Sequence, residues 1–403
     1  MVTTPARKAP AGRIAVLRQR LNGLAGSPGA TYYWIIGTTV ALTVIGLMEV
    51  LSASAAESIS AGQDPYSLFV KESMFAAFGL LLMIALSFVP ATGLKKLGWP
   101  ALMLSIFLLL LVFTPLGKEV GGNRNWINLG DFSFQPSEAA KLALALWMGM
   151  MISFKGDLIK DWKHAVIPVV PAGALVVGLI LLGHDLGTAV IVMSVVGAGM
   201  FFGGVSMKLL APAVVGGLLA AVILAAVSGN RTSRLAGWLG SCDTGLCDQA
   251  TNGLYALASG GWWGVGLGQS RQKWSWIPEA HNDFIFAIIG EEFGLLGTII
   301  IVALYGVLAI SIFRVIVRHN DRFTRIVCGS IMTWIIGQAF VNIAMVTGIL
   351  PVIGVPLPLI SYGGSALVVV LAALGVVLSF ARTMPKPAVE PASSQQESVP
   401  SVS

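Results

Sequence analysis

The sequence predicts an all-α polytopic membrane protein with about ten transmembrane helices. Of its 403 residues, 56% are hydrophobic and 11% are charged, whereas soluble domains carry about 25% charged residues. The mean hydropathy is +0.83. So little polar surface cannot cover a soluble core of this size, which excludes a cytosolic enzyme and a disordered chain. The three cysteines also exclude a disulfide scaffold.

Ten apolar runs are long enough to cross the bilayer, because a hydrocarbon core of about 30 Å needs about 20 helical residues. Runs of this length favour helices over barrel strands. The predicted spans are 32–52, 73–90, 99–115, 138–154, 164–182, 186–204, 209–228, 284–312, 325–345 and 361–381. We therefore predict a basic arm at 1–31, a membrane domain at 32–382 and a disordered tail at 383–403, which is rich in Pro and Ser.

The positive charges predict the orientation of these spans. One side of the predicted topology holds 17 of the 25 Lys and Arg residues and the other holds 8. The positive-inside rule places the richer side, with both termini, in the cytoplasm. The basic arm is explained as a topology signal, with contact to anionic lipid as the second interpretation. No nucleic-acid partner is needed to account for it.

Three long polar connections then face outward, at 116–137, 229–283 and 346–360. The largest joins the seventh and eighth spans and is rich in glycine and tryptophan: Trp238, Trp262, Trp263, Trp274 and Trp276. It is either an interfacial helix resting on the bilayer or a half-embedded platform over a site for a lipid-linked substrate. Its glycines lack the strand–turn–helix context of a dinucleotide fingerprint. Any chemistry is expected on this outer face.

The strongest candidate for that chemistry is Asp283, directly before the eighth span and close to Glu279 and His281. Its carboxylate is a plausible general base. Two alternatives stay open: Asp283 caps the helix N-terminus, or Asp283 and Glu279 bind a divalent cation such as Mg²⁺ or Mn²⁺. Further along the span, Glu291 and Glu292 are intramembrane carboxylates and therefore functional candidates.

Other polar groups on the outer face also have both structural and functional interpretations. Asp185 precedes an apolar helix and is typical of an N-cap. Glu138 and Lys141 form an i,i+3 pair, yet Lys141 and Arg124 are also outward cations able to meet a pyrophosphate. The prolines of 356–365 predict an irregular segment, tolerated at membrane depth only against protein or a cavity.

In this order, these segments resemble the SEDS family (shape, elongation, division and sporulation; the FtsW/RodA/SpoVE type) of bacterial cell-wall synthesis. The resemblance covers about 32–382. Its specific parts are NWINLG and QPSEAAK within 125–141, DLGTA at 185–189, GVGLGQSRQKWSWIPEAHNDFIFAIIGEEFG at 264–294, and LPVIGVPLPLISYGGS at 350–365. Residues 266–283 are closer to the cell-division member than to the elongation member. Two positions depart from the family pattern: His184 replaces a frequent Pro, and Asn282 replaces the usual Thr.

The resemblance implies a peptidoglycan glycosyltransferase of the bacterial cytoplasmic membrane that polymerises lipid II at the division septum. It implies a class B penicillin-binding protein, a transpeptidase, as partner, together with other membrane proteins of the divisome. The family's essential carboxylate falls on Asp283. The expected substrate-binding residues are Lys273, Arg271, Ser270, Glu279, His281, Trp126, Arg124, Lys141, Asp185 and Ser361.

The hypothesis is an inverting transfer that needs no nucleotide, because the energy lies in the pyrophosphate linkage of the donor. A lipid II flippase and a non-catalytic scaffold for the transpeptidase are the alternatives. Cys242 and Cys247 lie in the largest outward loop, where an oxidising compartment permits a disulfide. Cys328 is expected only to pack.

Overall fold

The computed structural model describes residues 28–60, 62, 64–130, 132–227, 238, 246–274 and 280–385. Most of the predicted arm and tail lies outside these residues, as do Glu279 and Cys242. In chain order the helices are α1 Pro28–Ser60, α2 Ser67–Ser87, α3 Ala91–Lys96, α4 Gly98–Leu111, α5 Pro136–Lys155, α6 Trp162–Leu182, α7 Leu186–Gly203, α8 Met207–Val227, α9 Leu246–Gly260, α10 Ile285–Arg318, α11 Arg322–Val346 and α12 Ser365–Arg382.

The polytopic helical fold is confirmed. Within the described residues, eight helices are long and apolar enough to cross a membrane. The runs predicted at 99–115 and 209–228 correspond to shorter apolar stretches, Gly98–Leu111 and Met207–Gly217. The total of ten spans and the cytoplasmic location of both termini stay predictions.

A small β-sheet occupies the loop 116–137, which is predicted to face outward and for which the sequence predicted only a polar turn. Strands β1 (Gly117–Val120), β2 (Asn123–Leu129) and β3 (Phe132–Phe134) pair antiparallel in that order. Gly121 and Gly122 connect the first two strands, both with positive φ (59° and 81°), as a two-residue hairpin turn requires. The sheet sets Trp126 opposite Lys118.

Helix α12 is the most enclosed of the spanning helices that the structure describes, with 83% of its residues buried. It is apolar on all sides, as expected of a helix surrounded by others. It packs against α2, while α11 packs against α5 and α7. Cys328 is fully buried in α11, as predicted for a packing residue.

Helix α10 is broken at Gly294, where φ is 67°. The segment after α9 pairs with the backbone on both sides of this break. Val265 and Gly266 donate N–H groups to the carbonyls of Glu291 and Glu292, at 2.9 and 3.0 Å. A Cβ on Gly294 would lie 2.4 Å from the Gly264 nitrogen, so this close approach requires glycine.

Candidate active site

A cavity of about 880 Å³ lies between α2, the small sheet, the start of α7, the turn before α10 and the segment 352–364. Four residues of the predicted site line it: Asp283, Trp126, Asp185 and Lys141. One wall is apolar and follows a single face of α2, through Met74, Phe75 and Phe78. The cavity therefore combines a polar end with an apolar wall.

Asp283 stands in a turn of residues 280–284 and is partly exposed. The cap residue of α10 is Phe284, so Asp283 stands one residue before the N-cap, near the position that the sequence predicted. The Asp283 carbonyl accepts a 2.8 Å hydrogen bond from the side chain of Asn342, which also donates to the Val355 carbonyl at 2.7 Å. The fully buried Asn342 and Phe284 fix the backbone, while the carboxylate borders the cavity.

The irregular segment after α11 holds the same turn from the other side. The Ser361 hydroxyl donates to the Asn282 carbonyl at 2.6 Å and accepts from the Leu357 N–H at 2.8 Å. Ser361 does not line the cavity; its hydroxyl positions the turn, and its role in substrate binding stays a prediction. The Tyr362 N–H donates to the His281 carbonyl at 3.0 Å. His281 is 6% exposed and stacks edge-on against the Tyr362 ring.

Asp185 is the N-cap of α7, and its side chain also connects the β-sheet to the start of this helix. Its carboxylate accepts from the Thr188 N–H (2.9 Å) and hydroxyl (2.8 Å). It also accepts from the side-chain amides of Asn125 (2.7 Å) and Gln135 (3.5 Å). Before it, His184 adopts a φ of 64°, which proline cannot reach.

Two of the predicted cations, Lys141 and Arg124, are already bound by other groups of the protein. Lys141 reaches the cavity wall but is 1% exposed, paired with Glu138 at 2.7 Å and with Gln338 at 2.9 Å. Arg124 turns away: its guanidinium donates to the carbonyls of Val112 and Thr114 at 3.0 and 2.9 Å. Arg124 does not line the cavity, because these carbonyls after the end of α4 hold its guanidinium, and its place in a pyrophosphate site stays a prediction.

Two other lysines provide positive charge at the cavity instead of Arg124. From the sequence they were predicted only to lie on the outward side of the membrane. Lys71 of α2 and Lys118 of β1 are exposed and line the cavity. Asn125, Gln135, Asn282 and Tyr362 line it as well. Their predicted place on the outward side of the membrane was the one signal that could have indicated the lysines. The other four come together only through tertiary packing.

Lys273 and Ser270 form a separate buried cluster with Glu291 and Glu292, and Arg271, whose side chain is exposed, joins it through its backbone. The Lys273 ammonium lies 3.2 Å from the Glu292 carboxylate, and the Ser270 hydroxyl lies 2.5 Å from Glu291. The Arg271 N–H donates to Glu291 at 3.1 Å. None of the five lines the cavity, so the structure does not bring the predicted substrate-binding residues Lys273, Ser270 and Arg271 together with Asp283. The two glutamates bind the loop 264–273 instead, because its N–H groups need acceptors at this depth.

Four of the five tryptophans of the largest loop lie among the described residues, and these four do not cover the cavity. Those that the structure describes are exposed, from 45% for Trp238 to 82% for Trp263, and none lines the cavity. Their exposure favours the interfacial interpretation over the platform.

The metal and disulfide hypotheses stay predictions, since Glu279 and Cys242 lie outside the described residues. Among the residues that the structure does describe, no group of three His, Cys, Asp or Glu side chains is arranged to hold a metal ion.

Burial and the nearby carboxylate of Glu72 raise the pKa of Tyr362 above its ordinary value. Both influences disfavour the phenolate. The Tyr362 hydroxyl is therefore a hydrogen-bond donor at neutral pH.

With this geometry in hand, comparison with known proteins identifies the family. A family model described as cell cycle protein, of the FtsW, RodA and SpoVE group, matches residues 33–385. The chain belongs to this family. Two similar proteins are both named probable peptidoglycan glycosyltransferase FtsW. The one from Mycobacterium tuberculosis is 34% identical over 374 residues, 92% of this chain and 71% of the relative. The one from Marinobacter nauticus is 36% identical over 367 residues, 88% and 90% of the two chains.

Solved structures of the family share the fold. A chain from a peptidoglycan synthase complex that coordinates polymerization and crosslinking has a TM-score of 0.70 and 27% identity, with 87% of this chain and 97% of that chain covered. The rod shape determining protein RodA of Thermus thermophilus has a TM-score of 0.65 and 28% identity, with 87% and 96% covered.

Proposed function

We propose that this chain is a peptidoglycan glycosyltransferase that polymerises lipid II on the outer face of the membrane during cell division. The relatives named peptidoglycan glycosyltransferase FtsW support the activity. The observation that carries the mechanism is the position of Asp283, partly exposed at a cavity that is polar at one end and apolar along α2. A substrate with a sugar, a pyrophosphate and a long lipid needs both surfaces.

Asp283 acts as the general base in an inverting transfer. It removes the proton from the 4-hydroxyl of the acceptor sugar while that oxygen forms a bond to the anomeric carbon of the donor. The bond from that carbon to undecaprenyl pyrophosphate breaks, and the pyrophosphate leaves with the electron pair. A positioned base of this kind contributes about 10²–10⁴-fold to the rate.

The leaving pyrophosphate needs positive charge, and Lys71 and Lys118 supply it in this proposal. Both are exposed and line the cavity, unlike Arg124 and Lys273, whose charged ends are held by protein oxygens. Cations placed at developing negative charge lower the barrier. A divalent cation bound with the substrate, Mg²⁺ or Mn²⁺, would serve the same end.

The chain is a multi-pass membrane protein. We place it at the division septum of the bacterial cytoplasmic membrane, in complex with a class B penicillin-binding protein and other divisome membrane proteins. The structural match to a chain of a peptidoglycan synthase complex supports such a partner. The transpeptidase would cross-link the strands that this chain polymerises.

The test is glycan-strand synthesis from defined lipid II by the full chain with its transpeptidase partner. Asp283→Asn and Asp283→Ala should lose at least about a hundredfold in rate, as expected when a general base is removed. Asp161→Asn is the matched control, because Asp161 is exposed and caps α6 away from the cavity. Polymerisation by Asp283→Asn at the wild-type rate would refute the mechanism.

A lipid II flippase is the second candidate, since buried ion pairs involve spanning helices: Lys141–Glu138 lies within α5, and Glu292 of α10 pairs with Lys273 of the loop 264–273. Each of these charges is already paired, which favours a structural role. Lipid II accessibility in proteoliposomes, measured beside polymerisation, separates the two activities. A scaffold would show neither, and Asp283→Asn would then spare growth.

A further inference from the structure

The Tyr362 side chain borders the cavity next to Asp283, and the mechanism above leaves it without a task. Its ring packs edge-on against His281, with centroids 5.5 Å apart, and the residue is partly exposed where it lines the cavity. Within the described part of the chain, its hydroxyl has no hydrogen-bond partner. A hydroxyl without a partner, on a residue that lines the cavity, is available to a substrate.

Glu72 of α2 binds the backbone of the loop that carries Tyr362. Its carboxylate accepts from the N–H groups of Gly363 at 3.3 Å and Gly364 at 3.0 Å. Glu72 is 2% exposed and does not line the cavity, whereas both glycines do. Gly364 has a φ of 46° and a ψ of −100°, a conformation that other residues rarely adopt. The carboxylate therefore fixes a strained loop against α2.

The same loop is also hydrogen-bonded to the turn that carries Asp283. Tyr362 donates its N–H to His281, and Ser361 donates its hydroxyl to Asn282. The loop is thus held between α2 on one side and the Asp283 turn on the other. A group fixed at both faces is pre-organised, so it loses little conformational entropy when it binds a ligand.

We propose that Tyr362 contacts the substrate directly, donating a hydrogen bond from its hydroxyl to an oxygen of the sugar that Asp283 deprotonates, and that Glu72 positions it. This inference rests on the proposed function and adds a substrate contact to it. Tyr362 orients the acceptor sugar and does not exchange a proton with it. Glu72 touches no substrate and acts through the loop.

The first test removes only the hydroxyl, with Tyr362→Phe in the full chain with its transpeptidase partner and lipid II as substrate. We expect kcat/KM to fall about 3- to 10-fold, the effect of one lost hydrogen bond, with the unfolding temperature unchanged. Tyr305→Phe is the matched control. Its hydroxyl donates to the Pro358 carbonyl in the same proline-rich segment, away from the cavity. It should lower the unfolding temperature and leave kcat/KM unchanged.

Wild-type kcat/KM in Tyr362→Phe, together with an inactive Asp283→Asn, would overturn this inference and leave the proposed function standing. An active Asp283→Asn would instead refute the proposed mechanism, whatever Tyr362→Phe does. The two failures are therefore distinguishable in one set of assays.

The second test concerns Glu72 as the positioning residue. Glu72→Gln keeps an acceptor oxygen for one of the two glycine N–H groups, whereas Glu72→Ala keeps none. We expect Glu72→Gln to retain most of the kcat that Glu72→Ala loses, with KM changed less than kcat in both variants. In the Tyr362→Phe background, the loss from Glu72→Ala should be smaller than in wild type, because coupled residues are not additive. Equal losses in Glu72→Gln and Glu72→Ala would overturn the positioning role.

Discussion

The Ser361 hydroxyl donates a 2.6 Å hydrogen bond to the carbonyl oxygen of Asn282, one residue before Asp283. The same hydroxyl accepts the Leu357 N–H at 2.8 Å. This side chain joins two segments that lie 79 residues apart in sequence. The position of the proposed base therefore depends on a contact outside its own helix.

Ser361→Ala should reduce the rate by misplacing Asp283. Removal of the hydroxyl leaves a buried N–H and a carbonyl without their partner, at a cost of about 1–3 kcal/mol. We expect kcat to fall about tenfold, since small displacements of a catalytic group are costly, with KM for lipid II changed less. Ser153→Ala is the control, because the Ser153 hydroxyl bonds only to the carbonyl of Met150 in its own helix. Equal kcat values in the two variants would contradict the prediction.

Lys71→Gln and Lys118→Gln should weaken the binding of lipid II. Each removes an exposed cation at the cavity, so we expect KM to rise about 3- to 10-fold and kcat to fall, with a smaller effect at high salt. Steady-state polymerisation at two ionic strengths measures this. Lys208→Gln removes an exposed charge away from the cavity and should leave KM unchanged. A rise of the same size in Lys208→Gln would mean a general charge effect.

The spanning helices were predictable because their signal is local: a long apolar run must pass through lipid as a helix. The β-sheet was missed because its strands have four, seven and three residues and carry no long alternating pattern. The turn that carries Asp283 was located correctly, since the polar residues stand directly before an apolar run. Its bonds to Ser361 and Asn342 come from distant segments, which a single sequence cannot reveal.

The cations show the same limit. Lys141 and Lys273 were predicted as charges offered to the substrate, yet both are buried and paired. Gln338, which binds the Lys141 ammonium, lies 197 residues away. A sequence indicates which side of the membrane a lysine occupies, but only tertiary packing decides whether its charge is already neutralised.

Lys273→Ala should destabilise the fold more than it affects substrate binding. The ammonium is paired with the fully buried Glu292 and acts electrostatically on Glu49, also fully buried. Its removal leaves buried carboxylates uncompensated, which costs about 3–5 kcal/mol for a broken buried pair. We expect a lower unfolding temperature in detergent, partly restored by adding Glu292→Gln. Lys163→Ala, an exposed lysine, should have little effect.

A normal unfolding temperature in Lys273→Ala, combined with a raised KM for lipid II, would contradict this structural role. It would return Lys273 to the set of substrate-binding residues that the sequence predicted. Thermal unfolding and polymerisation must therefore be measured on the same preparations.

Asp185→Ala tests whether Asp185 is more than a helix cap. Asp321 is the matched control, because it caps α11 with the same two bonds to a threonine three residues on, from the Thr324 N–H at 3.2 Å and hydroxyl at 3.0 Å. Loss of either cap should cost about 0.5–2 kcal/mol. Only Asp185→Ala also frees the amides of Asn125 and Gln135 and loosens the sheet at the cavity. We therefore expect both variants to unfold at lower temperature, but only Asp185→Ala to lose polymerisation at a temperature where both remain folded. Equal polymerisation rates in the two variants would reduce Asp185 to a cap.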